Sequence, residues 1–391
     1  MAGQHSIIPP SSAPRRVQCQ GSALMELMHP ETEESQKSKD GTATHQLGEM
    51  MIDSFARGGV SFPAPEQVVG QTADNGVVWE QWMYDAALLY AEDVRDVMQS
   101  TGVFGGPNLK IEQRVHNRRI HEESWGTPDC SLFDQRQGVL YVWDGKFGHK
   151  VVDAFENWQM VEYATGLVDE ITGGNGWEEQ HIRLVLTIIQ PRAQHRDGPV
   201  RRWRLQASDL RPYANYMEWV EHRALSGEAA CRTGPECKHC SARGACDTLA
   251  QAVGDAGQYV SQPISVELSP QDLAVELNIV RTLAKVIEAR KDGLEAQAEG
   301  MITAGHDIPG FALERGQGRQ KWNTSDDQVF ALGDMLGIDL RNPPQPVTPK
   351  QAIKKGIDES VIKDYSETPS TGLKLVESNK TVAATVFQKR K

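Results

Sequence analysis

The sequence predicts an α/β fold in which a mixed sheet is flanked by helices. Residues 130–146 have the pattern of a β-hairpin, with a short apolar run, a polar turn ending at Gly138 and the β-prone run Val139–Trp143. Residues 182–190 are typical of a buried strand, and residues 153–170 between them are predicted to be helical. Strands alternating with helices in this order favour a sheet that is covered by helices on its faces.

The other elements follow along the chain. We expect residues 1–20, which contain Pro9 and Pro10, to be irregular and to form an N-terminal segment. The core then spans 21–250, and a mainly helical C-terminal region with a basic loop and a polar tail spans 265–391. Further helices are predicted at about 21–57, 77–101, 207–226 and 268–303, and further strands at 111–115 and 203–205.

Composition limits the function classes. The 391 residues carry a formal net charge of −12, which argues against a diffuse nucleic-acid coat but permits a local basic groove. No apolar run approaches ~20 residues, so no membrane span or membrane partner is expected. The N-terminus lacks a basic-then-apolar signal pattern. We therefore expect a reducing cytoplasm, in which the six cysteines serve as metal ligands or free thiols.

Two carboxylates and a lysine frame the hairpin. Asp129 directly precedes it, and Asp144 and Lys146 end it. Side chains alternate along a strand, so Asp144 and Lys146 point the same way. Such a group suits a hard cation that polarises a phosphate and activates water. Gln159 and Tyr163 follow four residues apart and therefore share one helix face.

Four cysteines form a second cluster. Cys237-x-x-Cys240 can hold two thiolates on one metal, and Cys246 follows closely. The residues leave two arrangements open. Cys231 can join the other three in a local four-thiolate zinc site, or the three later cysteines can pair with the distant Cys19.

The order G-x-x-D at 126–129, D-x-K at 144–146 and Q-x-x-x-Y at 159–163 resembles the PD-(D/E)xK nuclease superfamily, in its RecB-like branch. The resemblance implies a restriction-endonuclease-like core. It also implies that Asp129 and Asp144 bind Mg²⁺ or Mn²⁺ and that Lys146 activates water and offsets charge on the phosphate. Gln159 and Tyr163 would order the site or the DNA.

The same resemblance favours one arrangement of the cysteines. Some RecB-like exonucleases carry one cysteine before the core and C-x2-C-x5-C after it, which together hold a [4Fe–4S] cluster as a clasp. Cys19, Cys237, Cys240 and Cys246 fit that pattern. Zn²⁺ remains the alternative metal because Cys231 is an additional cysteine that departs from the pattern of these exonucleases.

RecB-like nucleases also have a metal-binding histidine on an early helix, which corresponds to His45. Glu49, on the same helix face, and Glu112, before Asp129, are further candidate carboxylates. Gly145 departs from the bulkier residues common at this strand position and is expected to loosen the strand end.

The resemblance extends to a phage-encoded protein family through most of the chain. The sequence segments that carry this resemblance are Cys19–Ser22, Asp144–Gly148, Asn157–Gln159, Ile189–Arg192 and Arg315–Trp322.

The resemblance implies a metal-dependent deoxyribonuclease, a phage exonuclease of DNA replication or recombination in the host cytoplasm. The implied partners are DNA, a single-strand-binding or annealing protein, and further copies of the chain. Arg315, Arg319 and Lys321, beside Trp322, are candidate phosphate contacts. Two rival hypotheses are a nuclease-fold scaffold whose catalysis is minor and a structural zinc protein.

Overall fold

The computed structural model describes residues 6–30, 35–59, 61–174, 181–261 and 267–313. All of them belong to one compact unit, which ends at Leu313. Within the described residues, no helix is both long enough and apolar enough to cross a membrane. The predicted boundaries at 20, 250 and 265 remain predictions.

The α-helices of the described residues account for most of the predicted helical pattern. They are α1 (Ala13–Gln18), α2 (Ser22–Met28), α3 (Gln36–Ala56), α4 (Gln81–Thr101), α5 (Trp158–Thr172), α6 (Arg211–Leu225), α7 (Asp247–Ser261) and α8 (Pro270–Thr303).

The strands of the described residues are β1 (Leu109–Ile111), β2 (Val115–His116), β3 (Trp125–Gly126), β4 (Cys130–Asp134), β5 (Val139–Gly145), β6 (Arg183–Ile189) and β7 (Val200–Gln206). Five of them form a mixed sheet with the order β1-β4-β5-β6-β7. The pair β5 and β6 is parallel, and the other neighbouring pairs are antiparallel. A parallel pair needs a crossover, which α5 supplies. A separate two-stranded ladder joins β2 and β3.

Helices cover both faces of this sheet, as the sequence predicts. Leu140 and Val142 of β5 pack with α5 and α6 in one buried cluster. Trp143, on the opposite face of β5, packs with α3 and α4 in a second cluster. The alternation of side chains along β5 therefore separates the two cores and leaves the end of the strand between them.

Two local predictions are wrong. The strand expected over 111–115 is broken, because Glu112 has φ +46°, a left-handed conformation that extended strands do not contain. The N-terminal segment is not irregular but contains α1. Its Arg16 is buried and forms ion pairs with Glu221 of α6 at 2.7 Å and Glu162 of α5 at 3.0 Å. This tertiary network fixes α1 on the core.

Candidate active site

The end of β5 gathers the predicted acidic residues. Asp129 lies one residue before β4 and accepts a hydrogen bond from the backbone N–H of Gly145 at 2.6 Å. Asp144 and Lys146 lie on either side of Gly145, with the Lys146 Nζ 2.8 Å from Asp144 Oδ2. The antiparallel hairpin thus brings the two aspartates to the same end of the sheet.

Gly145 does not loosen the strand end. It is required for the close approach of Asp129 to this end of β5. A Cβ at this position would lie 2.9 Å from the ring of Phe147 and 3.3 Å from Asp129 Oδ2. The first distance is too short for a real Cβ contact. The absence of a side chain therefore lets the Asp129 carboxylate reach the Gly145 N–H, which corrects the expectation drawn from the sequence.

Helix α5 closes the site from the other side. Asn157 caps its N-terminus by accepting a hydrogen bond from the Met160 N–H. In the first turn, Gln159 donates to Asp144 Oδ1 at 3.0 Å and accepts from Lys146 Nζ at 2.9 Å. Its amide is also 3.3 Å from the hydroxyl of Tyr163. Gln159 therefore holds Asp144 and Lys146 in register.

Helix α3 adds His45, whose Nδ1 lies 3.2 Å from Asp129 Oδ2. Its ring meets the buried Phe147 ring edge-on, with 4.7 Å between centroids. Ligand atoms of His45, Glu112 and Asp129 all lie within 4.8 Å of one another. The Glu112 N–H donates to the Asp129 carbonyl at 3.1 Å, which anchors its left-handed backbone. Strained residues of this kind cluster at functional sites.

Charge coupling perturbs these groups in different directions. Burial, reinforced by the Asp129 charge, raises the pKa of Glu112 to about 8. Burial also raises the pKa of Asp144, with a further contribution from Asp129. For Asp129, burial acts against the charged form, but His45 and the Gly145 N–H outweigh it and lower its pKa. For His45, burial is outweighed by Asp129, so its pKa is raised.

These residues fit a divalent cation. Asp144 Oδ2 is buried and accepts no hydrogen bond of good geometry within the described residues, although the Lys146 ammonium is 2.8 Å away. A buried carboxylate oxygen without such a bond has a free lone pair for a metal. Carboxylate oxygens with one imidazole nitrogen suit Mg²⁺ or Mn²⁺. We call His45, Glu112, Asp129, Asp144, Lys146 and Gln159 the carboxylate site.

The other predicted contacts fall in different places. Tyr163 is buried behind Gln159, and burial together with the Asp144 charge raises its pKa. Glu49 lies on α3 outside the close group of His45, Glu112 and Asp129. Arg315, Arg319 and Lys321 lie outside the described residues.

The cysteines meet in a separate place, which we call the cysteine pocket. Cys19 ends α1, and the others lie on the 3₁₀ turns Pro235–His239 and Ser241–Gly244 or beside them. Burial, with smaller effects of its neighbours, raises the pKa of Cys240 to about 11. The cavity is lined by Cys19, Cys231, Cys237, Cys240 and Cys246. Cys130, in contrast, is buried in the sheet among the α3 and α4 core.

Backbone donors point at the sulfurs. The Arg232 N–H donates to Cys19 Sγ at 3.2 Å and the Gly234 N–H to Cys237 Sγ at 3.3 Å. The turns are held to the N-terminal segment by Gln18, whose Oε1 accepts from the Glu236 N–H at 2.9 Å. The pocket therefore joins the beginning of the chain to residues 231–246, as a clasp would.

The sequence matches the model of a family described as "Protein of unknown function (DUF2800)" over residues 5–379, so the chain belongs to that family. The match includes both the carboxylate site and the cysteine pocket. The description names no activity, and any functional interpretation therefore rests on the two sites themselves.

Proposed function

We propose that the protein is a metal-dependent deoxyribonuclease of the PD-(D/E)xK type, an exonuclease that hydrolyses phosphodiester bonds. The observation that carries the proposal is the Lys146–Gln159–Asp144 chain of hydrogen bonds and ion contacts beside Asp129. It joins all three sequence elements, G-x-x-D, D-x-K and Q-x-x-x-Y, in one place. Burying a lysine and several acids together at a strand end costs desolvation free energy. Such groups are therefore typical of functional sites.

The chain's own residues suggest how hydrolysis would proceed. His45, Glu112, Asp129 and Asp144 would hold Mg²⁺ or Mn²⁺, which supplies Lewis-acid stabilisation of the phosphate and a more acidic water. The ammonium of Lys146, which is partly exposed, would position the attacking water and offset the charge that develops on the phosphate. Gln159 would keep that ammonium beside Asp144.

Basic and aromatic groups near the site support a nucleic-acid substrate. Arg192 stacks on Trp82 with 3.8 Å from its guanidinium carbon to the ring centroid. It also donates to the carbonyl of Phe147, one residue after Lys146, at 3.4 Å. Arg114 stacks on Trp125 at 3.7 Å. Arginine held flat on an aromatic ring is pre-oriented for phosphate or base contacts.

The cysteine pocket fits the proposed [4Fe–4S] cluster better than zinc. Tetrahedral zinc with bonds of about 2.3 Å needs its sulfurs about 3.8 Å apart. Among the described residues, the only group of three ligand atoms within 4.8 Å is the one at the carboxylate site, so no three cysteine sulfurs meet that spacing. Cysteine sulfurs that receive backbone N–H bonds, as Cys19 and Cys237 do, suit a cluster. The cluster's role here would be structural.

The test is degradation of linear and covalently closed circular DNA with Mg²⁺ or Mn²⁺ by anaerobically purified protein. Wild type is compared with Lys146→Ala and with Lys291→Ala, which removes an exposed lysine of α8. We expect loss of linear DNA alone, a decrease of about 10²–10³-fold in Lys146→Ala and no change in Lys291→Ala. Cleavage of both DNA forms would make the protein an endonuclease.

Failure of wild type to cleave either form, with DNA binding retained, would support the scaffold hypothesis instead. The structural zinc hypothesis expects Asp129 far from Asp144. Asp129 accepts a 2.6 Å hydrogen bond from the N–H of Gly145, the residue after Asp144, and this contact argues against the structural zinc hypothesis.

A further inference from the structure

The cysteine pocket contains five cysteines, one more than a [4Fe–4S] cluster uses. The additional one is not remote from the others. The fifth thiol therefore needs a role of its own, and the role inferred below rests on the cluster of the proposed function.

Cys231 is the cysteine of the pocket that does not belong to the pattern formed by Cys19 and C-x2-C-x5-C. Burial raises the pKa of the Cys231 thiol to about 12, and among its neighbours Cys19 and Cys246 add most to that shift. Cys237 and Cys240 line the same cavity but act on this thiol less strongly. Cys231 therefore interacts more with two of the four predicted ligands than with the other two.

The backbone is shaped to admit this thiol. A Cβ on Gly21 would lie 2.8 Å from Cys231 Sγ and 2.9 Å from the Ala229 carbonyl. Only a residue without a side chain leaves that space. In addition, the N–H of Arg232, the next residue after Cys231, donates to Cys19 Sγ. Residues 231 and 232 thus already contact the sulfur at the Cys19 position.

We propose that Cys231 is a reserve ligand, which exchanges with Cys19 and Cys246 on the cluster and takes over when either thiolate is lost. In the exchange, one iron–sulfur bond to the outgoing cysteine would break and one to Cys231 would form. The thiol proton of Cys231 passes to the departing sulfur or, where that sulfur is missing, to solvent. No electron is transferred, so the exchange needs no oxidant or reductant.

The asymmetry of the contacts makes the proposal testable with the full chain. Cys19→Ser, Cys246→Ser, Cys237→Ser and Cys240→Ser are each purified anaerobically, alone and combined with Cys231→Ser. Iron and acid-labile sulfide per chain, with the visible absorption of the cluster, are the readouts. We expect Cys19→Ser and Cys246→Ser to keep most of the wild-type iron. Cys237→Ser and Cys240→Ser should lose about tenfold or more.

The double variants decide the role of Cys231. Combining Cys231→Ser with Cys19→Ser or Cys246→Ser should lower the iron content to the level of Cys240→Ser, whereas Cys231→Ser alone should keep it. Equal losses in all four single variants would overturn the proposal. So would a double variant that keeps as much iron as its Cys19→Ser or Cys246→Ser parent.

A measurement on wild type covers the case in which the variants do not fold. Native holoprotein is treated with iodoacetamide, and the modified cysteines are identified by mass spectrometry. Exchange predicts labelling shared among Cys231, Cys19 and Cys246, with Cys237 and Cys240 protected. Labelling of Cys231 alone would show a fixed fifth thiol and overturn the proposal.

The same preparations separate this inference from the nuclease proposal. Wild type that degrades DNA but contains no iron would overturn the reserve ligand and leave the nuclease standing. Wild type that contains the cluster but does not cleave DNA would overturn the nuclease, and the iron contents of the variants would still decide the role of Cys231.

Discussion

The carboxylate site and the cysteine pocket are built in opposite ways. In the first, Asp144 lies near the end of a central strand, Gln159 lies in the first turn of a helix, and the two are joined by a 3.0 Å hydrogen bond. In the second, Cys19 and the 231–246 turns come from sequence positions more than two hundred residues apart, with the Arg232 N–H reaching Cys19 across a separation of 213. Regular elements preorganise the carboxylate site, whereas the proposed function expects the cysteine pocket to depend on a bound cluster for closure.

Arg16 connects the two regions. It lies three residues before Cys19, and its guanidinium contacts Glu162 of α5 and Glu221 of α6. Helix α5 also carries Gln159. One buried network therefore positions both the N-terminal side of the cysteine pocket and the helix that closes the carboxylate site. The first prediction breaks this connection.

Replacing Arg16 with Met should produce the largest loss of stability, about 3–5 kcal/mol in the free energy of unfolding. The side chain is 1% exposed, and its removal leaves Glu221 buried without its cation. Urea unfolding of the purified protein measures the change.

The matched control is Glu162→Gln. Burial raises the pKa of Glu162 well above its usual range and so favours the protonated carboxyl, which an amide resembles. We expect a cost below about 1 kcal/mol. A cost as large as that of Arg16→Met would mean that Glu162 is ionised and that the network depends on both carboxylates.

Removing the bridge within the carboxylate site should have a smaller effect, on chemistry rather than on folding. Gln159→Ala frees Asp144 and Lys146 from their common partner, and loss of such a supporting contact lowers activity about 10–100-fold. Steady-state DNA hydrolysis should show the loss in kcat. Gln36→Ala, at the exposed start of α3, should be unaffected. Unchanged kcat in Gln159→Ala would show that Lys146 is positioned by other groups.

The third prediction concerns pH and metal-free protein. Glu112 keeps its proton up to a pH of about 8 in the folded protein, whereas its ordinary pKa is 4.5. Between these values the folded state binds the extra proton, so stability falls as pH rises from about 5 to about 8. Glu112→Gln should remove most of that fall, which is about 3 kcal/mol over this range.

Thermal or urea unfolding in a chelator at several pH values tests this expectation. The difference between wild type and Glu112→Gln should grow with pH in favour of the variant. A constant difference over this range would show that Glu112 is already ionised at pH 5. Glu66→Gln, in an exposed 3₁₀ turn, serves as the control.

Much of the fold follows from the sequence because local pattern and tertiary structure agree there. The hairpin expected over 130–146 forms as β4 and β5, and the run at 182–190 forms β6. Helix α1 was not predicted because its stability comes from Arg16 and two distant glutamates rather than from its own residues. Tertiary contacts of this kind leave no periodic signal.

The candidate site divides in the same way. Asp144, Lys146, Gln159 and Tyr163 follow from strand alternation and helix spacing, and the structure brings them together. Glu112 was only one of several candidate carboxylates, because its left-handed backbone turns it toward His45 in a manner that the sequence does not encode locally. The place of Cys231 beside Cys19 also depends on packing, and only Gly21 gives a local indication of it.

Binding of Mn²⁺ to chelator-treated protein, followed by the electron paramagnetic resonance of free Mn²⁺, tests the central claim that the carboxylate site holds a divalent cation. Wild type is titrated beside Asp129→Asn and beside Asp85→Asn, which alters an exposed aspartate of α4. We expect tight Mn²⁺ binding in wild type and Asp85→Asn and a loss of about tenfold or more in affinity in Asp129→Asn. Equal binding by all three proteins would contradict the central claim, because the cation would then occupy another place.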